Sequence, residues 1–291
     1  MRAGIRAVLL LCGLLGGHIV AWAGFAPPAA AGPQAFNIAG IEVAAWLPES
    51  SVPGPWPVLV YSHGFNGCNT QTGFLMEALA ASGYAIFAPN HRDAACAVMM
   101  WPTRPQPPFG EVSEWNETTL RDRRDDIERL LNALARDPRY AAPPFDWQNV
   151  GLIGYSLGGY TALGLAGAWE TWKDPRVKAV LGLSPFAAPF VARETLRNLS
   201  APVMYQGGTR DTGATPSLKE PGGAFDQSPA PKYFVEFENA GHFAWTDRNV
   251  TMQEPVVAYS RAFLDRYLKG KPFPAALAAP HPGVTDVRIA E

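Results

Sequence analysis

The stretch that decides the fold is Val150-Gly-Leu-Ile-Gly-Tyr-Ser-Leu-Gly-Gly-Tyr-Thr-Ala-Leu-Gly-Leu-Ala166. An apolar run stops at Gly154, a single serine follows at Ser156, and Gly158 and Gly159 come at once. A short apolar run bounded by glycine reads as a buried strand, and the Ala- and Leu-rich continuation from Leu157 reads as a helix. Gly154-Tyr-Ser-Leu-Gly158 fits the pattern G-x-S-x-G, with the strand before it and the helix after it that this motif requires. A serine on so sharp a strand-to-helix turn needs glycine two residues before and two after, because side chains there would collide with neighbouring backbone. The bland alternative is a tight turn whose glycines serve packing alone.

The elements on either side extend this reading. Ile41 to Trp46, Pro57 to Tyr61, Tyr84 to Ala88, Val177 to Leu183, Pro202 to Tyr205 and Tyr233 to Phe237 read as further strands. Phe74 to Ala81 and Thr118 to Ala135 carry apolar residues at helical spacing. In the second, Leu120, Ile127, Leu130, Leu131 and Leu134 form one stripe, and the Arg/Asp run between them reads as a solvated face. A last helix opens at Glu254-Pro255, where proline's missing N–H costs little, and stops at Gly270. Strands alternating with helices predict an α/β fold with a mostly parallel sheet covered on both faces. Three segments fall outside the alternation: Val98 to Trp115, Thr212 to Pro231, and an Ala/Pro-rich tail over 271–291.

Of 291 residues, 47% are hydrophobic and 17% charged, enough for a substantial core. The formal charge is -2 and no basic run stands out, which argues against nucleic acid as a partner. Arg2 and Arg6 precede an apolar run from Ala7 to Val20, followed by Ala21-Trp22-Ala23. This is the order of a secretory signal peptide, so residues 1–23 are expected to be removed from a secreted or periplasmic protein. The run is short for a membrane anchor, so no stable membrane span is expected. A lipid-attachment reading at Cys12 fails because Leu10 and Leu11 stand where small residues belong. Removal of two arginines would leave 22 basic against 26 acidic residues, a charge of -4. Export would also leave Cys68 and Cys96, which an oxidising compartment could join as a disulfide. No Cys/His spacing suggests a metal site.

A serine hydroxyl needs a base. In this topology an acid and then a histidine should follow the serine in the chain. Downstream of Ser156 stand His242, in Asn239-Ala-Gly-His-Phe just past a strand, and His281 in the Pro-rich tail; position favours His242. Asp211, at the exit of the strand Pro202 to Tyr205, is the expected acid, with Asp226 and Asp247 as alternatives. Two backbone N–H groups should receive an oxyanion: that of Leu157, directly after the serine, and that of Phe65 in Ser62-His63-Gly64-Phe65-Asn66-Gly67. His63 precedes Ser156 and reads as a residue bracing that loop.

With these residues in place, Val58-Leu-Val-Tyr-Ser-His-Gly-Phe65 and Leu79-Ala-Ala-Ser-Gly-Tyr-Ala-Ile-Phe-Ala-Pro-Asn-His-Arg-Asp93 resemble the α/β-hydrolase superfamily. Within it the chain is similar to dienelactone-hydrolase-like esterases, platelet-activating-factor acetylhydrolases and bacterial cutinases and polyester hydrolases. The resemblance spans roughly Ile38 to Leu268. It implies an eight-stranded-type sheet over 24–270 with no large cap domain, Ser156, Asp211 and His242 as triad, and Phe65 and Leu157 as oxyanion donors. Dienelactone hydrolases proper use cysteine as nucleophile, so Ser156 argues against that activity. The expected function is serine ester hydrolysis of small-molecule or polymeric esters without metal or organic cofactor, by a chain expected to be monomeric. Phe65, Trp101, Phe186 and Trp245 are the expected cleft aromatics. A serine peptidase or amidase, or a non-catalytic binding protein on the same scaffold, are the alternatives.

Overall fold

The computed structural model describes residues 32–96 and 105–291. The expected signal peptide over 1–23, residues 98–104 of the Pro-rich loop and with them Trp101 lie outside the described residues. Nine strands form one sheet. They are β1 (Gln34–Ile38), β2 (Ile41–Trp46), β3 (Trp56–Ser62), β4 (Ala85–Pro89), β5 (Phe145–Tyr155), β6 (Val177–Leu183), β7 (Val203–Gly208), β8 (Lys232–Phe237) and β9 (Val284–Ala290). Their spatial order is β1-β2-β4-β3-β5-β6-β7-β8-β9. Every pair from β4 to β8 is parallel, whereas β1 and β2 at one end and β9 at the other run antiparallel to their neighbours.

The parallel strands are largely apolar because both of their faces are covered. Along β3 the side chains part by the period of two: Val58 and Val60 enter the core on one face, Leu59 and Tyr61 the core on the other. The first face is covered by α2 (Arg121–Leu134) and α3 (Leu157–Leu163), the second by α1 (Gly73–Ala81) and α7 (Gln253–Leu268). Three short helices, α4 (Ala188–Arg193), α5 (Thr215–Lys219) and α6 (Ala224–Gln227), lie in the connections after β6 and β7. No helix among the described residues is long and apolar enough to cross a membrane.

Three expectations need correction. The sheet has nine strands among the described residues, Gln34–Ile38 at the β2 side and Val284–Ala290 at the β8 side adding to the seven read from sequence. Residues 271–291 are not a loose tail: Val284–Ala290 is the ninth strand, registered on β8 from Phe237↔Val284 to Lys232↔Ala290. The Arg/Asp run of α2 is not uniformly solvated, since Arg123 is 0% and Asp126 5% exposed. Amphipathic patterning hides charged residues that find partners on another segment, and here the partners stand some thirty residues upstream.

Candidate active site

β5 ends in the turn that carries Ser156, at φ 52° and ψ -114°, a strained conformation for a residue with a Cβ. The glycines of the motif are sterically required. A Cβ on Gly154 would lie 2.3 Å from Gly158 O, and one on Gly158 would lie 1.9 Å from Ser62 O. The turn is pinned by Ser156 N–H donating to Leu183 O (3.0 Å) and by Phe186 N–H donating to Ser156 O (2.9 Å).

Two neighbouring strands bring the other side chains to it. Asp211 follows β7, and His242 follows β8 at the start of a 3-10 turn. Gly208 lets these two loops touch: a Cβ there would lie 2.3 Å from Ala240 O, and Arg210 N–H donates to that same carbonyl at 2.9 Å. His242 Nε2 stands 2.9 Å from Ser156 Oγ. Its Nδ1 lies 3.1 and 3.2 Å from the two carboxylate oxygens of Asp211. This fixes the tautomer: the proton sits on Nδ1, facing the carboxylate, and the bare Nε2 faces the serine. Tyr155 OH donates to His242 O at 2.9 Å and holds the histidine loop from below.

Asp211 is buried, and burial alone would push its carboxyl up. The His242 hydrogen bond and charge, with a further hydrogen bond from Ser184, outweigh burial and hold it below the usual carboxylate range. Ser184 was not among the expected site residues. It follows β6 with φ 45°, its hydroxyl donates to Asp211 Oδ2, and its Oγ lies 2.9 Å from His242 Nδ1. Only its place at a strand exit beside the elbow signals it in sequence.

Of the expected oxyanion donors, one follows the serine directly in the chain and the other lines the same cleft. Leu157 is the first residue of α3, whose leading N–H groups have no helical acceptor. Phe65 lines the same cleft as Ser156, and its N–H has no acceptor among the described residues. The cleft holds about 530 Å³. Its apolar wall comprises Phe65, Phe109, Phe186 and Phe243. Phe109 is returned to the cleft by the described end of the Pro-rich loop, where it stacks on buried Trp115 (5.4 Å) and meets Phe186 edge-on (5.0 Å).

Other expected residues stand elsewhere. Trp245 is a correction: it is 0% exposed in the core and donates Nε1–H to Gln206 Oε1 at 2.9 Å, so it does not line the cleft. Two residues after His242 the chain has already turned inward onto α7. Asp226 accepts from Gly222 N–H, and Asp247 caps α1 by accepting from Gly73 and Phe74 N–H at 3.1 and 2.9 Å. His281 pairs with Tyr259 OH on β9's approach. Cys68 and Cys96 are both free thiols in the structure, and Cys68 Sγ lies 3.6 Å from Thr70 Oγ1.

The assembled geometry can do one thing readily: draw a proton from a serine hydroxyl into an imidazole backed by a carboxylate. The family model for the dienelactone hydrolase family matches residues 41–264. Cutinase est2 of Thermobifida alba is 25% identical over 213 residues, 71% of this chain and 59% of that protein. Cutinase est1 of the same organism is also 25% identical over 213 residues, covering 60% of its own length. The chain thus spans about three fifths of the curated relatives it matches. It belongs to the dienelactone hydrolase family.

Proposed function

For this member of the dienelactone hydrolase family, we propose an exported serine carboxylic-ester hydrolase that works through an acyl-enzyme on short-acyl or polymeric esters. The observation that carries the proposal is the 2.9 Å approach of His242 Nε2 to a serine on a glycine-flanked, strained elbow that opens into a cleft.

His242 takes the Ser156 proton as Oγ attacks the ester carbonyl. The carbonyl π pair moves onto oxygen, which the N–H groups of Phe65 and Leu157 receive. Collapse expels the alcohol, protonated by His242, and leaves an acyl group on Ser156. Water, deprotonated by His242, then attacks the acyl carbonyl, and the second collapse returns the proton to Ser156 and releases the acid. Asp211 stabilises the imidazolium at both stages and stays ionised throughout. Side chains of this chain and water supply every proton transfer in the sequence.

An open trough with Phe243 more than half exposed at its rim suits an extended or short-acyl substrate better than a bulky enclosed one. The cutinase names of the relatives support polymeric esters as one substrate class. Export is supported by the Arg2-to-Ala23 pattern and is checked by N-terminal sequencing of protein recovered outside the cytoplasm; a start at Met1 overturns it. The activity is tested by hydrolysis of p-nitrophenyl butyrate by the protein beside its Ser156→Ala variant. Turnover that vanishes in the variant is expected; equal turnover by both overturns the proposal.

A further inference from the structure

Beneath the Ser62–Gly67 loop lies a charged cluster in which none of Ser62, His63, His91, Asp93 or Arg123 is more than 2% exposed. The mechanism above uses none of it. We infer that Arg123 is a positioning residue for the oxyanion pocket: from inside the core it holds the carbonyls of His63 and Gly64 and thereby aims the Phe65 N–H into the cleft. The inference rests on the reading of Phe65 as an oxyanion donor.

The geometry is as follows. Arg123 reaches across from α2 and grips Asp93 with Nε (3.0 Å) and Nη2 (2.6 Å). Its remaining donors go to backbone: Nη1–H to His63 O at 2.8 Å and Nη2–H to Gly64 O at 3.4 Å. Gly64 O has two further donors, one of them the Gly67 N–H of the same loop at 3.1 Å. His91 N–H donates to His63 Nε2 at 3.1 Å, so the His63 proton is on Nδ1, which lies 2.8 Å from Gly64 O. Burial, Arg123 and His91 together push His63 well below its ordinary range, which keeps it in this neutral form. Two side-chain donors therefore pull the Gly64 carbonyl inward, beside the loop's own Gly67 N–H.

The Gly64–Phe65 peptide is not among the cis bonds. In a planar trans peptide the C=O and N–H point in opposite directions. A Gly64 carbonyl fixed towards the core leaves the Phe65 N–H directed away from it, on the side of the cleft that Phe65 lines with Ser156. Glycine at 64 is what lets this peptide rotate at all, and a Cβ there would meet the Tyr155 ring at 2.9 Å. Without the two side-chain donors only the Gly67 N–H would hold the carbonyl, and that freedom would let the Phe65 N–H swing out of line. Arginine suits the task because its planar fork serves a carboxylate and two carbonyls at once, which a lysine ammonium cannot.

The same contacts also stabilise the fold, so the test must separate aim from stability. Arg123→Lys keeps the charge beside Asp93 and loses the fork. His63→Ala removes the other side-chain donor to Gly64 O and leaves the Arg123–Asp93 pair in place. Each is assayed with p-nitrophenyl butyrate below its own melting temperature, and inhibition by a butyl trifluoromethyl ketone, which adds to serine as a tetrahedral oxyanion, is measured alongside. A misaimed donor should lower kcat by roughly 10- to 100-fold, less than outright loss of one donor, with KM within about two-fold. Ketone affinity should fall in parallel with kcat. Folded variants that keep kcat and ketone affinity, or that change KM alone, overturn the inference. If Arg123→Lys does not fold, His63→Ala decides by the same readout. Wild-type turnover abolished by Ser156→Ala, together with unaltered Arg123 and His63 variants, would sink the clamp alone. Failure of the Ser156→Ala control would sink the esterase reading itself.

Discussion

The molecule contains the same three residue types twice, joined through the same atoms. At the cleft, Ser156 Oγ lies 2.9 Å from His242 Nε2, and His242 Nδ1 lies 3.1 Å from Asp211. In the core, Ser62 Oγ lies 2.9 Å from His91 Nε2, and His91 Nδ1 lies 3.1 Å from Asp126. By distance alone the two are indistinguishable. Ser62 ends a regular strand and is sealed from solvent, whereas Ser156 rides a strained turn that opens into the cleft. The carboxylates diverge as well. Asp211 is held below the usual range by His242 and Ser184, while burial pushes Asp126 up to about 6. An acid held low stays charged against a developing imidazolium; one pushed up does so less readily. A hydrogen-bonded Ser–His–Asp chain is therefore a packing solution as much as a catalytic one, and access, backbone strain and nearby N–H donors separate the two uses.

The largest expected contrast is chemical. Ser156→Ala should lower turnover by roughly 10⁴-fold or more and abolish fluorophosphonate labelling, although the Ser62 chain remains intact. Ser62→Ala should still label at Ser156, as peptide mass mapping would report. Label found on Ser62 would collapse the distinction between the two chains. The histidines should divide in the opposite sense. His242→Ala should cost roughly 10³-fold or more in kcat with a small change in melting temperature. His91→Ala should cost about 2–4 kcal/mol in urea unfolding, through the cavity and the buried partners it leaves unpaired.

Gly158 is where the two regions touch, since a Cβ on it would strike both Ser62 O and His63 O. Gly158→Ala should destabilise by about 2–3 kcal/mol and lower kcat together with it, because the backbone must shift on both sides. A variant of wild-type stability would show that the elbow and the oxyanion loop are not in contact in solution. The smallest effect concerns Ser184. Asp211 has a lowered folded value, so its contribution is present above the ordinary carboxylate range and is lost as pH falls through that lowered value. Ser184→Ala removes one hydrogen bond that lowers it, so acid unfolding followed by tryptophan fluorescence should move to higher pH. Ser184→Thr, which keeps the hydroxyl, should restore it. An unchanged midpoint in Ser184→Ala would remove Ser184 from the account of Asp211.

What could be read from sequence was local or ordered along the chain. The elbow is legible because its glycines stand at fixed spacing about the serine between a strand and a helix, and Asp211 and His242 by their order after successive strands. The buried network was not. Arg123 and Asp126 sit on a helix whose apolar stripe is satisfied without them, and their partners at Asp93 and His91 are set by tertiary packing. Trp245 follows a histidine that faces the cleft, yet the turn between them reverses direction. Residues 271–291 look unstructured because alanine and proline dominate their first half; the strand that follows is held by backbone pairing more than by its side chains.

That strand has a further consequence. β8, from whose end the His242 loop hangs, would be the terminal strand of the sheet without Val284–Ala290, with its N–H and C=O groups turned outward along the register from Lys232 to Phe237. An exposed, apolar row of this kind recruits other chains by strand pairing. β9 thus acts as a built-in guard against self-association. The strand is held at its far end by Tyr233 OH donating to Glu291 Oε1 at 2.6 Å, so changes that loosen β9 would bear on solubility before they touched the chemistry.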